Sequence, residues 1–231
     1  MNDKEISEIH GGIGKDSQTE IERFIPDDIR DLYDVYSYRH AASILRNSEP
    51  DEFNEILGAL REFRLTVNMI KSPGGNESDI PKLLSNLLRP KGWYETRIHG
   101  DLIVFQNIKP EDGKQKEIRI KRSNYIDGHK VDYVKNRVAF DMEWNSKDQT
   151  FDRDLYAARA FYECGLISAA ILVTRSEKLN PIFGKLGITK KYGASTTWSG
   201  KLIPRLDTGR NGGCPVLVFA ITDKTIKDYQ V

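Results

Sequence analysis

Three acidic side chains, Asp132, Asp141 and Glu143, interrupt the apolar stretch VDYVKNRVAFDMEWNSK near the middle of the chain. If the second half of this stretch is a strand, alternation places Asp141 and Glu143 on one face, about 7 Å apart. A hairpin turn at Lys135–Asn136 would bring Asp132 towards them. Three carboxylates on one face suit a hard divalent cation such as Mg²⁺. The alternative is a half-exposed strand whose acids face water.

The neighbouring segments indicate that this strand lies inside a sheet. LIVFQNI and KEIRIK form a predicted hairpin before the last two acids, and FDRDLYAARAFYECG is a predicted helix after them. Asp152 and Asp154 suit the positive N-terminal end of that helix. SAAILVTR and CPVLVFAIT are predicted buried strands. This order of elements predicts an α/β fold with a central mixed β-sheet flanked by helices.

The first part of the chain is predicted to mix strands and helices. We expect a strand at Leu32–Ser37, a helical turn at His40–Leu45, and a longer helix in SEPDEFNEILGALREF with Ser48 as its N-cap. LTVNMI is a predicted strand, and IPKLLSNLLRPKGW is a predicted helix ended by Pro90. We expect one domain over residues 1–231, of which residues 1–20 lack periodicity and are predicted to be flexible.

Composition limits the class of protein. The chain has 231 residues, of which 39% are hydrophobic and 30% are charged, as in globular proteins with a substantial core. No apolar run reaches the length of a membrane span, and the polar start does not resemble a signal peptide. The two cysteines have no partner at metal-ligand spacing. These features predict a cytoplasmic protein with no membrane partner.

The net charge of +1 conceals an uneven distribution of charge. Acids outnumber bases over residues 1–64, whereas residues 185–210 contain six bases and one acid. A basic segment on a neutral or acidic body can form a local anion-binding surface. The alternative is a solvated, charged loop.

The acidic stretch resembles the active-site pattern of the PD-(D/E)xK nucleases: an Asp, eight residues, an acid, one residue and a third polar side chain. VDYVKNRVAFDMEW resembles in particular the corresponding stretch of the BglII and BstYI restriction endonucleases. Three further segments resemble this family in the same chain order, YSYRHAASILRN, RPKGWYETR and YGASTTWSGKLIPRLDTGRNGGCPVLVFAI. The resemblance implies a restriction-endonuclease-like core and a prokaryotic type II enzyme. Such an enzyme is a homodimer that cleaves double-stranded DNA at a specific sequence.

The resemblance also implies residue roles. Asp132 and Asp141 match the two metal-binding acids, although Asp141 is one methylene shorter than the usual Glu. Glu143 matches a position that holds Lys in most of the superfamily, Gln in the BglII type and Glu in the related BamHI enzyme. The three acids would hold one or two Mg²⁺ ions. Whether Glu143 is the general base or a metal ligand stays open.

DNA contacts are expected mainly from residues 190–212, which we predict to be a recognition loop. Its basic and small polar side chains suit phosphates and base edges. Lys147 either reaches a phosphate or is a solvated lysine. The predicted DNA-binding residues are Lys147, Lys190, Lys191, Ser195, Thr196, Thr197, Arg205, Arg210 and Asn211.

Other functions remain compatible with these residues. One is a catalytically inactive DNA-binding protein on the same fold, and another is a nonspecific or repair nuclease. An enzyme on a different phosphorylated substrate is disfavoured, because the chain has no G-x-x-x-x-G-K loop and no dinucleotide-binding fingerprint. His40, His99 and His129 have no recognisable spacing to the acids, which favours structural roles for them.

Overall fold

The sheet that carries the acids is six-stranded and mixed. The computed structural model describes residues 11–73, 79–109 and 113–229. The strands are β1 Tyr33–Tyr38, β2 Tyr94–Ile108, β3 Lys116–Lys135, β4 Val138–Glu143, β5 Ala169–Arg175 and β6 Val216–Ile221. Their order in the sheet is β1-β6-β5-β4-β3-β2, with β4, β5 and β6 parallel and the other neighbours antiparallel. The predicted α/β class with a central mixed sheet is confirmed.

Helices cover both faces of the sheet. They are α1 Gln18–Phe24, α2 Asp27–Leu32, α3 Ala41–Ser48, α4 Pro50–Glu62, α5 Val67–Lys71, α6 Asp79–Leu88, α7 Thr150–Glu163, α8 Asn180–Lys185 and α9 Ser199–Asp207. Buried side chains of α1 to α6 and α8 pack in one layer of the core, and those of α7 and α9 pack in the other. Every residue of β4 and β5 is buried, as expected of strands covered on both faces.

Strand β4 shows the alternation expected from its sequence. Val138, Phe140 and Met142 pack in the first core layer, and Ala139 packs in the second, beneath α7. Alternation therefore turns Asp141 and Glu143 towards α7. Helix α7, which follows β4 in sequence, therefore covers the face of β4 that carries the acids.

Three local predictions are wrong. LTVNMI is not a strand: Thr66 caps a short helix, α5, by accepting a hydrogen bond from the Met69 N–H at 3.2 Å. Ser48 ends α3, and Glu49 stands before α4 as its N-cap residue. The turn between β3 and β4 lies one residue later than expected, because Lys135 pairs with Val138 across it.

The predicted first hairpin is confirmed and extends further than expected. LIVFQNI and KEIRIK lie within β2 and β3, which pair from Tyr94 to Ile108. The outer part of this ribbon exposes large apolar side chains, among them Ile103, Phe105 and Ile120. Strand β2 is at the edge of the sheet, and β3 pairs with β4 only at residues 133–135, so the outer part of the ribbon extends beyond the other strands.

The predicted flexibility of residues 1–20 stays a prediction, and the structure describes only the second half of this segment. Residues 1–10 and the glycine-rich segment 74–78 lie outside the described ranges. Ser17 accepts a hydrogen bond from the Glu20 N–H and caps α1, so residues 18–20 are helical. Among the described helices, none is long and apolar enough to cross a membrane.

Candidate active site

The β3–β4 hairpin brings the first two acids together. Tyr133 pairs with Phe140 across it, and the next position along each strand is Asp132 on β3 and Asp141 on β4. The Asp132 backbone N–H donates to Oδ1 of Asp141 at 2.7 Å. The sequence prediction that a hairpin places Asp132 beside Asp141 agrees with this geometry.

The acids open into a pocket between the sheet and α7. Its volume is about 320 Å³. Asp132 is exposed, whereas Asp141 and Glu143 are buried. The pocket is lined by Gly128, His129, Lys130, Asp132, Asp141, Glu143, Arg153, Asp154 and Ala157. Four carboxyl groups and three basic side chains therefore face one small volume.

Desolvation raises the pKa of all four acids in this pocket, and the charges of neighbouring acids add to the effect. Burial raises the pKa of Asp141 well above its usual range, and the charge of Asp132 adds to the effect. Burial and the nearby charge of Asp154 raise the pKa of Glu143 to about 7. The pKa of Asp132 is raised by desolvation and by Glu95, and that of Asp154 by desolvation. Acids whose charged forms are disfavoured in this way are common at functional sites.

Arg153 lies within ion-pair distance of both Asp154 and Glu143. Its Nη2 lies 2.9 Å from Oδ1 of Asp154 and 3.6 Å from Oε1 of Glu143. Asp154 and Arg153 were not among the predicted site residues. Helical spacing offered the signal, since Asp154 shares one stripe of α7 with the buried Phe151, Leu155 and Ala158.

The acids of the pocket do not form a group of three whose ligand atoms all lie within 4.8 Å of one another in the described structure. In the described part of the chain, the group of three side chains whose ligand atoms all lie within 4.8 Å of one another is Asp16, Glu20 and His40. That group already has internal partners, because Asp16 accepts from the Ser37 hydroxyl and from the His40 N–H. It holds the start of α3, at a distance in the fold from the acidic hairpin.

His129 and Lys130 line the pocket from β3. The His129 ring packs edge-on against Tyr156 of α7, with ring centroids 4.7 Å apart. Lys130 binds Glu95 at 2.8 Å. A histidine that the sequence favoured as structural therefore also borders the acids.

The predicted recognition loop is only partly a loop. Residues 199–207 within it form α9, and Thr197 and Asn211 are fully buried. Lys191 donates to the carbonyl oxygens of Ile70 and Ser72. These three side chains are used inside the fold, which the basic and polar composition of the segment did not indicate.

The two arginines of that segment point to α7. Arg205 donates to Asp152 at 3.1 Å, and Arg210 binds the same carboxylate. Asp152 was expected to interact with the positive N-terminal end of its helix. It also forms ion pairs with both of these arginines. Lys190 and Ser195 are exposed, and so is Lys147, whose backbone bridges to Thr196.

A buried arginine ties this segment to the strand that carries the acids. Arg175, at the end of β5, is fully buried. Its Nε donates to the carbonyl oxygens of Trp144 at 2.7 Å and Thr197 at 3.1 Å, and its Nη2 donates to Oγ1 of Thr196 at 2.6 Å. Burial lowers the pKa of Arg175 to about 10. The residue after Glu143 is therefore fixed to the predicted DNA-contacting segment.

A comparison with models of protein families gives a match to the family described as restriction endonuclease BglII/BglIII, over residues 33–221. The matched region runs from the first residue of β1 to the last residue of β6. The chain belongs to this restriction endonuclease family. A comparison with curated proteins found no match.

Membership of the BglII/BglIII family confirms the resemblance seen in the acidic stretch and the restriction-endonuclease fold of the core. It supports a nuclease that binds DNA. The matched region includes the acidic hairpin, α7 and the segment tied down by Arg175. The pocket therefore belongs to the family core and not to an appendage.

Proposed function

We propose that this chain is a type II restriction endonuclease that hydrolyses phosphodiester bonds of double-stranded DNA at specific sequences, with Mg²⁺ as cofactor. The proposal rests on one observation. Asp132, Asp141 and Glu143 line a single pocket within a chain of a restriction endonuclease family. The catalytic and metal-binding residues that we propose are these three acids.

The donors in the pocket fit a hard divalent cation. Mg²⁺ prefers carboxylate oxygens and water over thiolate or imidazole, and four carboxyl groups line this pocket. Oδ2 of Asp154 is buried and has no hydrogen-bond partner among the described residues. When bound, Mg²⁺ would neutralise charge on a phosphate and lower the pKa of a coordinated water.

The protein's own groups then have distinct tasks. Asp132 and Asp141 would hold the cation, and the hydrogen bond from the Asp132 backbone N–H to the Asp141 carboxylate links the two residues. Glu143, with a pKa near 7, suits proton transfer at neutral pH. Its alternative role is that of a ligand for a second cation.

DNA would contact the exposed side chains among the predicted DNA-binding residues. We propose contacts from Lys147, Lys190, Ser195 and Arg210, which are exposed. Thr196, Thr197 and Asn211 would act by shaping the segment, since the two threonine hydroxyls and the side-chain NH₂ of Asn211 have partners inside the fold. A homodimer with twofold symmetry would cut both strands of a palindrome, and we expect it to act in the cytoplasm of a prokaryote.

Incubation of plasmid DNA with the protein, with and without Mg²⁺, tests the proposal. We expect discrete fragments that require Mg²⁺ and share one terminal sequence. A smear would indicate a nonspecific or repair nuclease. Retarded but uncut DNA would indicate an inactive DNA-binding protein. Sequencing of the fragment ends would give the recognition site and the position of the cut.

A further inference from the structure

Asp154 is a fourth acid of the pocket and lies outside the acidic hairpin. It is 3% exposed and lines the same volume as Asp132, Asp141 and Glu143. It reaches the pocket from α7, on the opposite wall from the sheet. Asp154 therefore offers a carboxylate from a direction that the hairpin acids do not cover.

The surroundings of Asp154 leave part of its carboxylate unsatisfied. The buried stripe of α7 is otherwise apolar, with Phe151, Leu155 and Ala158 as its members. A buried carboxylate in such a stripe costs free energy unless it is paired and hydrogen-bonded. Oδ1 accepts from Arg153, but Oδ2 has no partner within the described structure. A buried carboxylate oxygen that has no hydrogen-bond partner and lies next to other acids is well suited to coordinate a cation.

A protein cation already bridges Asp154 and Glu143. The guanidinium of Arg153 lies 2.9 Å from Asp154 and 3.6 Å from Glu143. Its side chain is 71% exposed, so it can leave this position without disturbing the core. The guanidinium marks a place where positive charge between these two acids is favourable.

We propose that Asp154 and Glu143 form a second divalent-cation position, beside the one formed by Asp132 and Asp141, and that Arg153 occupies it when no metal is bound. The inference rests on the proposed function, because it assigns a further ligand within the same site. It gives Glu143 the role of ligand. It also makes Asp154 a functional residue that the hairpin spacing does not contain.

Binding of Mn²⁺ to the full-length protein without DNA tests this arrangement, by isothermal titration calorimetry together with electron paramagnetic resonance of the bound ion. We expect wild-type protein to bind two ions. Asp154→Asn should lose one of them or bind it more weakly by at least the ~10–100-fold that is typical when a residue that only supports a metal ligand is changed. Asp132→Asn should affect the other ion.

Arg153→Gln gives an independent readout. Because the guanidinium competes for the Asp154–Glu143 position, its removal should strengthen binding of the second Mn²⁺. Glu163→Gln is the matched control, since Glu163 lies on the same helix and pairs with Arg159 on the surface. We expect it to bind Mn²⁺ as the wild type does.

The outcomes separate this inference from the proposed function. Binding by Asp154→Asn with wild-type stoichiometry and affinity, while Asp132→Asn loses an ion, overturns the inference and leaves the proposed function in place. Absence of any Mn²⁺ binding by the wild type overturns both. If Asp154→Asn does not fold, unchanged or weaker Mn²⁺ binding by Arg153→Gln still overturns the inference.

Discussion

The backbone N–H of Asp132 donates to the carboxylate of Asp141 at 2.7 Å. This bond links the Asp132 main chain on β3 to the Asp141 side chain on β4, so it holds the Asp141 carboxylate next to Asp132. It also leaves the Asp132 side chain free to face the pocket. The two acids can therefore be changed separately.

Asp132→Ala should abolish cleavage and preserve the fold. The variant keeps the backbone N–H that binds Asp141 but removes one proposed metal ligand. We expect Mg²⁺-dependent cleavage to fall by more than the ~10–100-fold typical of residues that only support a metal site. DNA affinity should stay within a few-fold of wild type. Plasmid cleavage and gel retardation in Ca²⁺ would measure the two properties.

Glu117→Ala is the control for Asp132→Ala. Glu117 is an exposed acid on the same strand, it pairs with Arg119, and it lies far out on the ribbon. It should cut as the wild type does. Cleavage by Asp132→Ala at the wild-type rate would show that the metal site has been assigned to the wrong residues.

Asp141→Asn should stabilise the metal-free protein while removing activity. The amide oxygen can still accept from the Asp132 N–H, but the buried negative charge next to Asp132 is gone. Since burial and repulsion raise the pKa of Asp141, the charged side chain opposes folding at neutral pH. Urea unfolding in a chelator at pH 8 should show a higher midpoint for the variant. An unchanged or lower midpoint would mean that the hydrogen bond requires the charge.

The central sheet was predictable because its signals are local and strong. Buried apolar runs gave β5 and β6, and alternation gave the two faces of β4. The strand expected at LTVNMI failed because tertiary context overrode β propensity. Thr66 caps a helical turn there, and the Leu65 backbone bonds with that of Thr225.

For the candidate active site, the sequence predicted only the residues that lie on the β3–β4 hairpin. Asp132, Asp141 and Glu143 are separated by a spacing that a strand pair can bring together. Asp154 comes from a different element, and only the packing of α7 on the sheet places it in the pocket. The role of Arg175 depends on the end of β5 meeting residues 196–197, which no local pattern records.

His40 should give the fold a small dependence on pH. It has a left-handed backbone, with φ of 61°, at the start of α3, and its ring contacts Glu20 at 2.8 Å and faces Asp16 at 3.7 Å. The hydrogen bond to Glu20 raises the pKa of His40 above its usual value of 6.5. The stabilisation is therefore fully present below about pH 6.5 and is lost as pH rises through the raised pKa.

His40→Asn tests this dependence, because Asn tolerates the left-handed region. The free energy of unfolding of wild type minus variant should be larger at pH 6 than at pH 9. The change should be less than ~1 kcal/mol because the ion pair is exposed. Urea titrations in a chelator would exclude binding of stray metal to Asp16, Glu20 and His40. A difference that grows with pH would contradict the assignment.

Arg175→Lys should loosen the junction between the acidic strand and the proposed DNA-contacting segment. A lysine cannot reproduce the planar guanidinium that binds the carbonyl oxygens of Trp144 and Thr197 together with the Thr196 hydroxyl. Leaving buried acceptors without donors costs ~1–3 kcal/mol, and we expect the free energy of unfolding to fall by about that amount. Arg159→Lys, in an exposed pair with Glu163, should change it by less than ~0.5 kcal/mol. Because the junction lies next to Glu143, Arg175→Lys should also lower the cleavage rate at saturating DNA more than it weakens DNA binding. Loss of stability with an unchanged cleavage rate would show that Arg175 only holds the fold together.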